Sequence, residues 1–223
     1  MFQKFYDLLI AGGAWLTILE GLWATVQISF FALVLGTLLG AGVCAMRRSK
    51  HKILSIPASL YIAVLRGSPV LMLLMLLYYV VFAKTDMDAL VVAIITFGLN
   101  TAAYIAELMR SALDATDKGQ VEAMRTLGFS GFAAFRYVTL PQAAEIAKPV
   151  YQSTIINLIQ WTSVVGYVTI TDLTRVINNI SARTMQPLFM IIVGMIIYLG
   201  LSYLVTGIFA LSDLLKKRRG AKQ

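Results

Sequence analysis

Residues 119–143 read GQVEAMRTLGFSGFAAFRYVTLPQA, a nearly even mix of apolar and polar residues set between two long apolar segments. In a very membrane-like chain it is the least membrane-like stretch. Val121, Met124 and Leu127 recur at i, i+3 and i+6, which predicts about two helical turns, and Gly128 supplies the left-handed stop that ends such a helix. Beyond this corner Phe129, Phe132 and Phe135 repeat every third residue and Arg136 follows. Leu140-Pro141 then resets the chain, since proline suits the first turn of a helix. The expected product is a short helix, a turn and an apolar-faced return. Spacing alone fits an ordinary cytoplasmic loop with a surface helix equally well.

The same stretch resembles the cytoplasmic coupling loop of ATP-binding-cassette (ABC) importer permeases. The matching residues are Gly119-Gln120, Glu122-Ala123, Gly128 five residues after the alanine, and Leu140-Pro141-Gln142-Ala143. The resemblance implies that the short helix sits in a groove of an ATPase subunit and carries nucleotide-driven closure into the membrane. Gly119, Gln120, Glu122, Ala123 and Gly128 would then be the coupling residues. Met124 departs from the pattern, standing where the family usually has a second alanine.

Composition points to a polytopic membrane protein. Across 223 residues, 59% are hydrophobic and 13% charged, with a mean hydropathy of +0.78. The net charge of +8 could suggest a nucleic-acid partner, but the basic residues cluster at the ends of apolar runs, which is how membrane proteins record orientation. Nucleic acid is therefore not an expected partner. The single cysteine, Cys44, cannot form an internal disulfide and reads as a small packing residue. The first long apolar run is followed, not preceded, by its positive cluster, so no cleavable signal peptide is expected. Phosphate-binding GxxxxGK[ST], HExxH and paired CxxC patterns are missing, so no catalytic residue, metal site or cofactor is expected in this chain.

Taken in order, residues 1–21 read as an amphipathic segment on the membrane surface, interrupted by Gly12-Gly13. Residues 22–215 form the expected permease domain, with the coupling loop at about 118–141, and residues 216–223 a basic tail. The fold class is all-α with five spans, near 22–46, 56–82, 89–109, 144–170 and 188–211. The second run is interrupted by Arg66-Gly67-Ser68-Pro69, which resembles the Arg-Gly-Thr-Pro tetrad of the polar amino acid branch. Two readings stand for it: a broken helix facing protein or water, or Arg66 snorkelling from a shorter, kinked one. In the third span Asn100, Tyr104, Glu107 and Ser111 share one helical face. Glu107 lies in Ala103–Arg110, which matches the family pattern Ala-Tyr-x-Ala-Glu-x-x-Arg, and is expected to pair with a nearby base as a structural group.

The fourth span is the least hydrophobic of the five, and Pro149 marks a possible kink. Ser153, Asn157 and Gln160 share a face that either hydrogen-bonds across a subunit interface or lines a solute path. Gln160-Trp161 and Glu145 depart from the family, which often has a lysine-containing pattern and an arginine at these places. Residues 171–187 read as an external helix and loop. Gly194, Gly200 and Gly207 in the last span are expected to permit close helix approach.

Orientation follows from the charges. With the N-terminus outside, Arg47, Arg48, Lys50 and Lys52, the basic residues flanking the coupling loop, and the C-terminal cluster all fall in the cytoplasm, leaving Lys4, Lys84, Arg175 and Arg183 outside. The resemblance implies a permease in a bacterial inner membrane, paired with a second copy or paralogue. Two ATPase subunits would carry ATP and Mg, and an extracytoplasmic binding protein would deliver a small polar amino acid. The expected path residues are Asn100, Tyr104, Ser153, Asn157 and Gln160, whose donors and acceptors suit an ammonium and a carboxylate. Arg66, Gly67, Ser68, Pro69 and Glu107 take structural or gating roles. The alternative class is an ATP-independent membrane channel or assembly protein.

Overall fold

The computed structural model describes residues 13–220, with side chains up to residue 216; the expected amphipathic segment therefore lies outside the described residues up to Gly12, as do residues 221–223 of the basic tail. The described residues are helical, with no strand. In chain order the α-helices are α1 (Ala14–Arg47), α2 (Lys52–Gly67), α3 (Val70–Leu76), α4 (Ala89–Asp114), α5 (Lys118–Thr126), α6 (Gly131–Ala134), α7 (Leu140–Trp161), α8 (Leu173–Thr184) and α9 (Pro187–Gly220). Wider π-helical turns extend α3 over Leu77–Val81 and join α6 to α7 over Phe135–Thr139, and a tighter 3₁₀ segment, Thr162–Val168, follows α7.

α1 begins eight residues before the expected first span. Gly13, at φ +68, sets its start, and residues 14–21 are helix continuous with the span rather than a separate surface segment. Nothing in Ala14–Gly21 breaks a helix, so the turn-forming glycine, not the change in polarity, fixes the boundary. Among the described residues three helices are long and apolar enough to cross a bilayer: Ala14–Arg47, Ala89–Asp114 and Pro187–Lys216; the broken pair α2 and α3 makes a fourth. The 22 residues of α7 have the length for a fifth span but not the apolar content. Of the three long helices α4 is the core element: 61% of its apolar window is buried, against 17% for Pro187–Lys216, whose Ile191, Met195, Leu199 and Tyr203 are exposed.

The chain divides into two compact units, with boundaries inside α1, α4 and α7. The first gathers the chain up to Val34, Ser68–Gly98 and the chain from Ile155. Its cores are an aromatic-aliphatic cluster around Ile28, Leu74, Phe97, Leu158 and Val165, and a second around Ile18, Leu173, Val176, Ile177 and Met190. Burial of such side chains contributes roughly 1.5–3 kcal/mol each in water. In this unit α8 packs on α9 and also against α1 at Gly21, where a Cβ would lie 2.8 Å from Val176 and 2.9 Å from the Asp172 carbonyl oxygen.

The second unit comprises Leu35–Gly67 and Leu99–Thr154. Cys44, Ile62 and Ala106 form its core, so Cys44 is the packing residue expected. Gly40 sits against α4: a Cβ there would meet the Ala102 carbonyl oxygen and Ile105 Cγ2, both at 2.9 Å. Thr37 and Tyr151 share a 2.8 Å hydroxyl hydrogen bond. The expected close-approach glycines of α9 do not behave this way within the chain. Gly200 and Gly207 face open space and Gly194 has an ordinary 3.4 Å clearance to Ile177, whereas Gly21 and Gly40 make the tight contacts.

Candidate coupling site and polar faces

The stretch 119–143 folds as its residue types dictate. Asp117 caps α5, its carboxylate accepting the Gly119 N–H at 2.8 Å. At the other end Gly128 has φ +88, Gly128 N–H donates to the Arg125 carbonyl (3.1 Å) and Phe129 N–H to the Met124 carbonyl (3.2 Å). This pair of bonds is the Schellman arrangement, which a left-handed residue after the helix makes possible. Ser130 then caps α6 by accepting the Ala133 N–H (3.1 Å), so the chain turns through two adjoining caps.

Gln142 explains why the pattern is gapped. Its Oε1 accepts the Asp117 N–H at 3.1 Å, and its Nε2 donates to Gln120 Oε1 at 2.6 Å. One side chain of α7 thus pins the N-terminal end of α5 across more than twenty residues of sequence. Gly119, Gln120, Glu122, Ala123 and Gly128 are all exposed. Next to them Leu127, Phe129, Phe132 and Tyr137 are exposed too, with Leu127 at 75% and Phe132 at 72%. Large apolar side chains turned outward beside a polar helix have the character of a docking surface. The apolar spacing placed the helix from Val121 and missed the Asp117 cap, which starts it at Lys118 and which an aspartate just before the helix could have signalled; the Gln142 tether joins residues too distant in sequence for spacing to suggest.

The break at Arg66-Gly67-Ser68-Pro69 is real. α2 ends at Gly67, Pro69 is extended (φ −61°, ψ 127°), and α3 starts at Val70. Arg66 lies in the last turn of α2, where a cation favours the helix terminus, with its guanidinium 5.2 Å from the centre of the Tyr104 ring. Asn100 Nδ2 donates to the Leu65 carbonyl at 2.8 Å; Asn100 is buried and its Oδ1 has no partner. The polar stripe of α4 therefore meets the end of the broken helix, in the manner of a face turned to protein. Farther along, Glu107 is bidentate to Arg110 (2.6 and 3.2 Å), Arg110 also reaches Asp114 at 2.7 Å, and Asp114 pairs with Arg48, the residue just after α1. These groups are about a quarter to a half exposed, so each pair contributes about 0–1 kcal/mol.

α7 carries Pro149 without interruption. Along it Ser153, Asn157 and Gln160 are exposed on one face, with Ser153 Oγ donating to the Pro149 carbonyl at 3.1 Å. Thr154 is instead buried and satisfied by the Val150 carbonyl. The structure thus sets two of the expected path residues, Asn100 and Tyr104, against α2, and leaves the other three on an open helix face.

Comparison with known proteins follows the same lines. Residues 14–218 match the family described as binding-protein-dependent transport system inner membrane component. The probable amino-acid ABC transporter permease protein YckA of Bacillus subtilis is 36% identical over 182 residues, covering 81% of this chain and 80% of that protein. The histidine/lysine/arginine/ornithine transport system permease protein HisM of Salmonella typhimurium is 28% identical, with 85% of each chain covered. A crystal structure of an amino acid ABC transporter with histidines contains a chain with a TM-score of 0.84 at 29% identity, covering 93% of this chain and 97% of that one. The methionine ABC transporter MetNI, in inward-facing form, shares the fold at a TM-score of 0.71 and 22% identity. With a family match over nearly its whole length and relatives that are amino acid permeases, this chain belongs to the family of binding-protein-dependent transport system inner membrane components, as a permease of the ABC importer type.

Proposed function

We propose that this permease is the membrane subunit of an ATP-driven amino acid importer. Two ATPase subunits carrying ATP and Mg dock on the α5 region, a second permease copy or paralogue completes the membrane pore, and an extracytoplasmic binding protein delivers the cargo. The observation that carries this reading is the α5 turn: a capped nine-residue helix pinned by Gln142, ended at Gly128, and bordered by exposed Leu127, Phe129 and Phe132. Such a segment moves as a rigid piece, so force applied to it passes into α7 through Gln142 and the continuous helical run from Gly131. The exposed face of Ser153, Asn157 and Gln160 lines the solute path. Asn100 and Tyr104 contribute by holding the end of α2, with Arg66, Gly67, Ser68 and Pro69 as the flexible break and Glu107 as a structural partner of Arg110. The chain crosses the bacterial inner membrane with its N-terminus outside and its C-terminus in the cytoplasm.

The test is to purify the tagged chain from its native membrane in mild detergent and identify its companions by mass spectrometry. An ATPase with a phosphate-binding loop is expected, and Glu122→Arg, which reverses a charge on the exposed face of α5, should reduce its recovery several-fold while the permease stays in the membrane. An oligomer free of any ATPase in several mild detergents would favour the channel or assembly reading instead.

A further inference from the structure

Two adjoining clefts in the first unit remain unused by the coupling machinery. One, of about 420 Å³, is lined by Ser163, Gly166, Tyr167, Thr174, Arg175 and Asn178 together with the buried Asp172. The other, of about 410 Å³, shares Ser163, Thr174 and Asn178 with it and continues past Gln160 to Ile177, Met195 and Tyr198. Each volume is in the range of small-molecule sites.

Resting on the importer reading and deepening it, we infer that these clefts form a cargo site for an α-amino acid with an uncharged side chain, whose carboxylate is held by Arg175. Arg175 is half-buried and belongs to none of the three ion pairs among the described residues. One of its nitrogens donates to the Gly166 carbonyl at 3.0 Å, which fixes the guanidinium at the cleft wall and leaves most of its five N–H donors available. A planar fork so placed matches a carboxylate bidentately. Asp172 is a support, not a ligand: it is fully buried, and its oxygens accept the N–H groups of Thr174 (2.9 Å) and Arg175 (3.1 Å), anchoring the first turn of α8 under the guanidinium. Burial pushes the Asp172 carboxyl upward, opposed by those backbone bonds.

Gln160, Ser163 and Asn178 have no hydrogen-bond partner among the described residues, so their carbonyl and hydroxyl oxygens are available to an ammonium. The second cleft has no charged side chain in its lining. A lysine-like or arginine-like side chain would enter it with no anion to meet, and a second carboxylate would find no cation beyond Arg175. An uncharged side chain meets amides, hydroxyls and aliphatic groups instead. This separates the chain from HisM, named for histidine, lysine, arginine and ornithine.

The test uses the permease–ATPase complex in nanodiscs without its binding protein, and measures equilibrium binding of radiolabelled uncharged amino acids, L-lysine, L-arginine and L-glutamate. At least one uncharged amino acid should bind, at least tenfold more tightly than any charged one, and its methyl ester should lose that binding. Arg175→Gln should weaken it tenfold or more, with Arg175→Lys retaining part. Gln160→Glu, which leaves the Arg175 anchor intact, should gain affinity for L-lysine. Preference for a cationic amino acid by the wild type, no binding of any probe, or no gain in Gln160→Glu would each overturn the inference. In all three cases ATPase association and ATP-driven uptake with the binding protein would still stand, so the importer reading fails only if those are lost.

Discussion

At the scale of single residues, the membrane helices are positioned by places where a side chain is missing. Gly40 is such a place: a methyl group there would approach the Ala102 carbonyl oxygen to 2.9 Å, and a backbone oxygen cannot rotate away. Gly42, one half-turn along the same helix, has nothing within 4 Å. Gly40→Ala should therefore lose about 1–3 kcal/mol through overpacking, whereas Gly42→Ala should be neutral or slightly stabilising because alanine is the better helix former. Thermal unfolding of the two purified variants in detergent reads the difference directly, and a Gly40→Ala protein that melts with or above the wild type contradicts the contact. Neither glycine stands out in the sequence, where both are small residues in one apolar run. Asn100 is similar: its helical phase marked it as facing something polar, but not that the partner would be the Leu65 carbonyl at the end of α2.

At the scale of elements, the α5 turn was legible because its determinants are local. A short amphipathic repeat and a glycine stop specify the helix and its end without reference to anything distant; the Asp117 cap that starts it at Lys118 is equally local but went unread. The broken helix was legible for the same reason, since Gly67 and Pro69 act on their own backbone. What escaped the sequence depended on tertiary neighbours: the Gln142 tether, the pair between Arg48, just past α1, and Asp114 of α4, and the Arg175 wall of the cleft. The start of α1 also escaped, because polarity suggested a boundary where the backbone had none. The local nature of the turn gives a sharp comparison. Gly128 has φ +88 and open space around it, so a substitution acts through the backbone alone. Gly128→Val should cost about 1–3 kcal/mol of local strain, unseat the Schellman turn and uncouple ATP hydrolysis from uptake in proteoliposomes. Gly131→Ala has ordinary φ and meets only the mobile end of Arg125 at 3.4 Å, so its coupling should match the wild type. Full uptake by Gly128→Val would remove the rigid-corner reading.

At the scale of the whole chain, the open choice is whether α7 crosses the membrane. It is 22 residues long, roughly 33 Å at 1.5 Å per residue, which matches a hydrocarbon core of about 30 Å. Its polarity is partly internal: Ser153 and Thr154 return their hydroxyls to backbone carbonyls one turn earlier, at 3.1 and 2.8 Å, and Thr162 does so at 2.7 Å, so these groups cost little in an apolar setting. Asn157 and Gln160 are left to a water-filled path or a protein partner. The charges decide between the two topologies. If α7 crosses, Lys216, Lys217, Arg218 and Arg219 end up on the same side as Arg47, Arg48, Lys50 and Lys52; if it does not, the two basic clusters fall on opposite faces, against the positive-inside bias. The buried Cys44 can be replaced by alanine to give a cysteine-free background, and single substitutions Lys84→Cys, Lys118→Cys, Asn179→Cys and Lys216→Cys then report side by side with a membrane-impermeant maleimide. Lys84→Cys and Asn179→Cys should label in intact spheroplasts, and Lys118→Cys and Lys216→Cys only after permeabilisation. Protection of Asn179→Cys until permeabilisation would place α8 in the cytoplasm with α5, leave α7 unspanned, and move the Arg175 cleft to the side of the membrane where an incoming cargo has already been released.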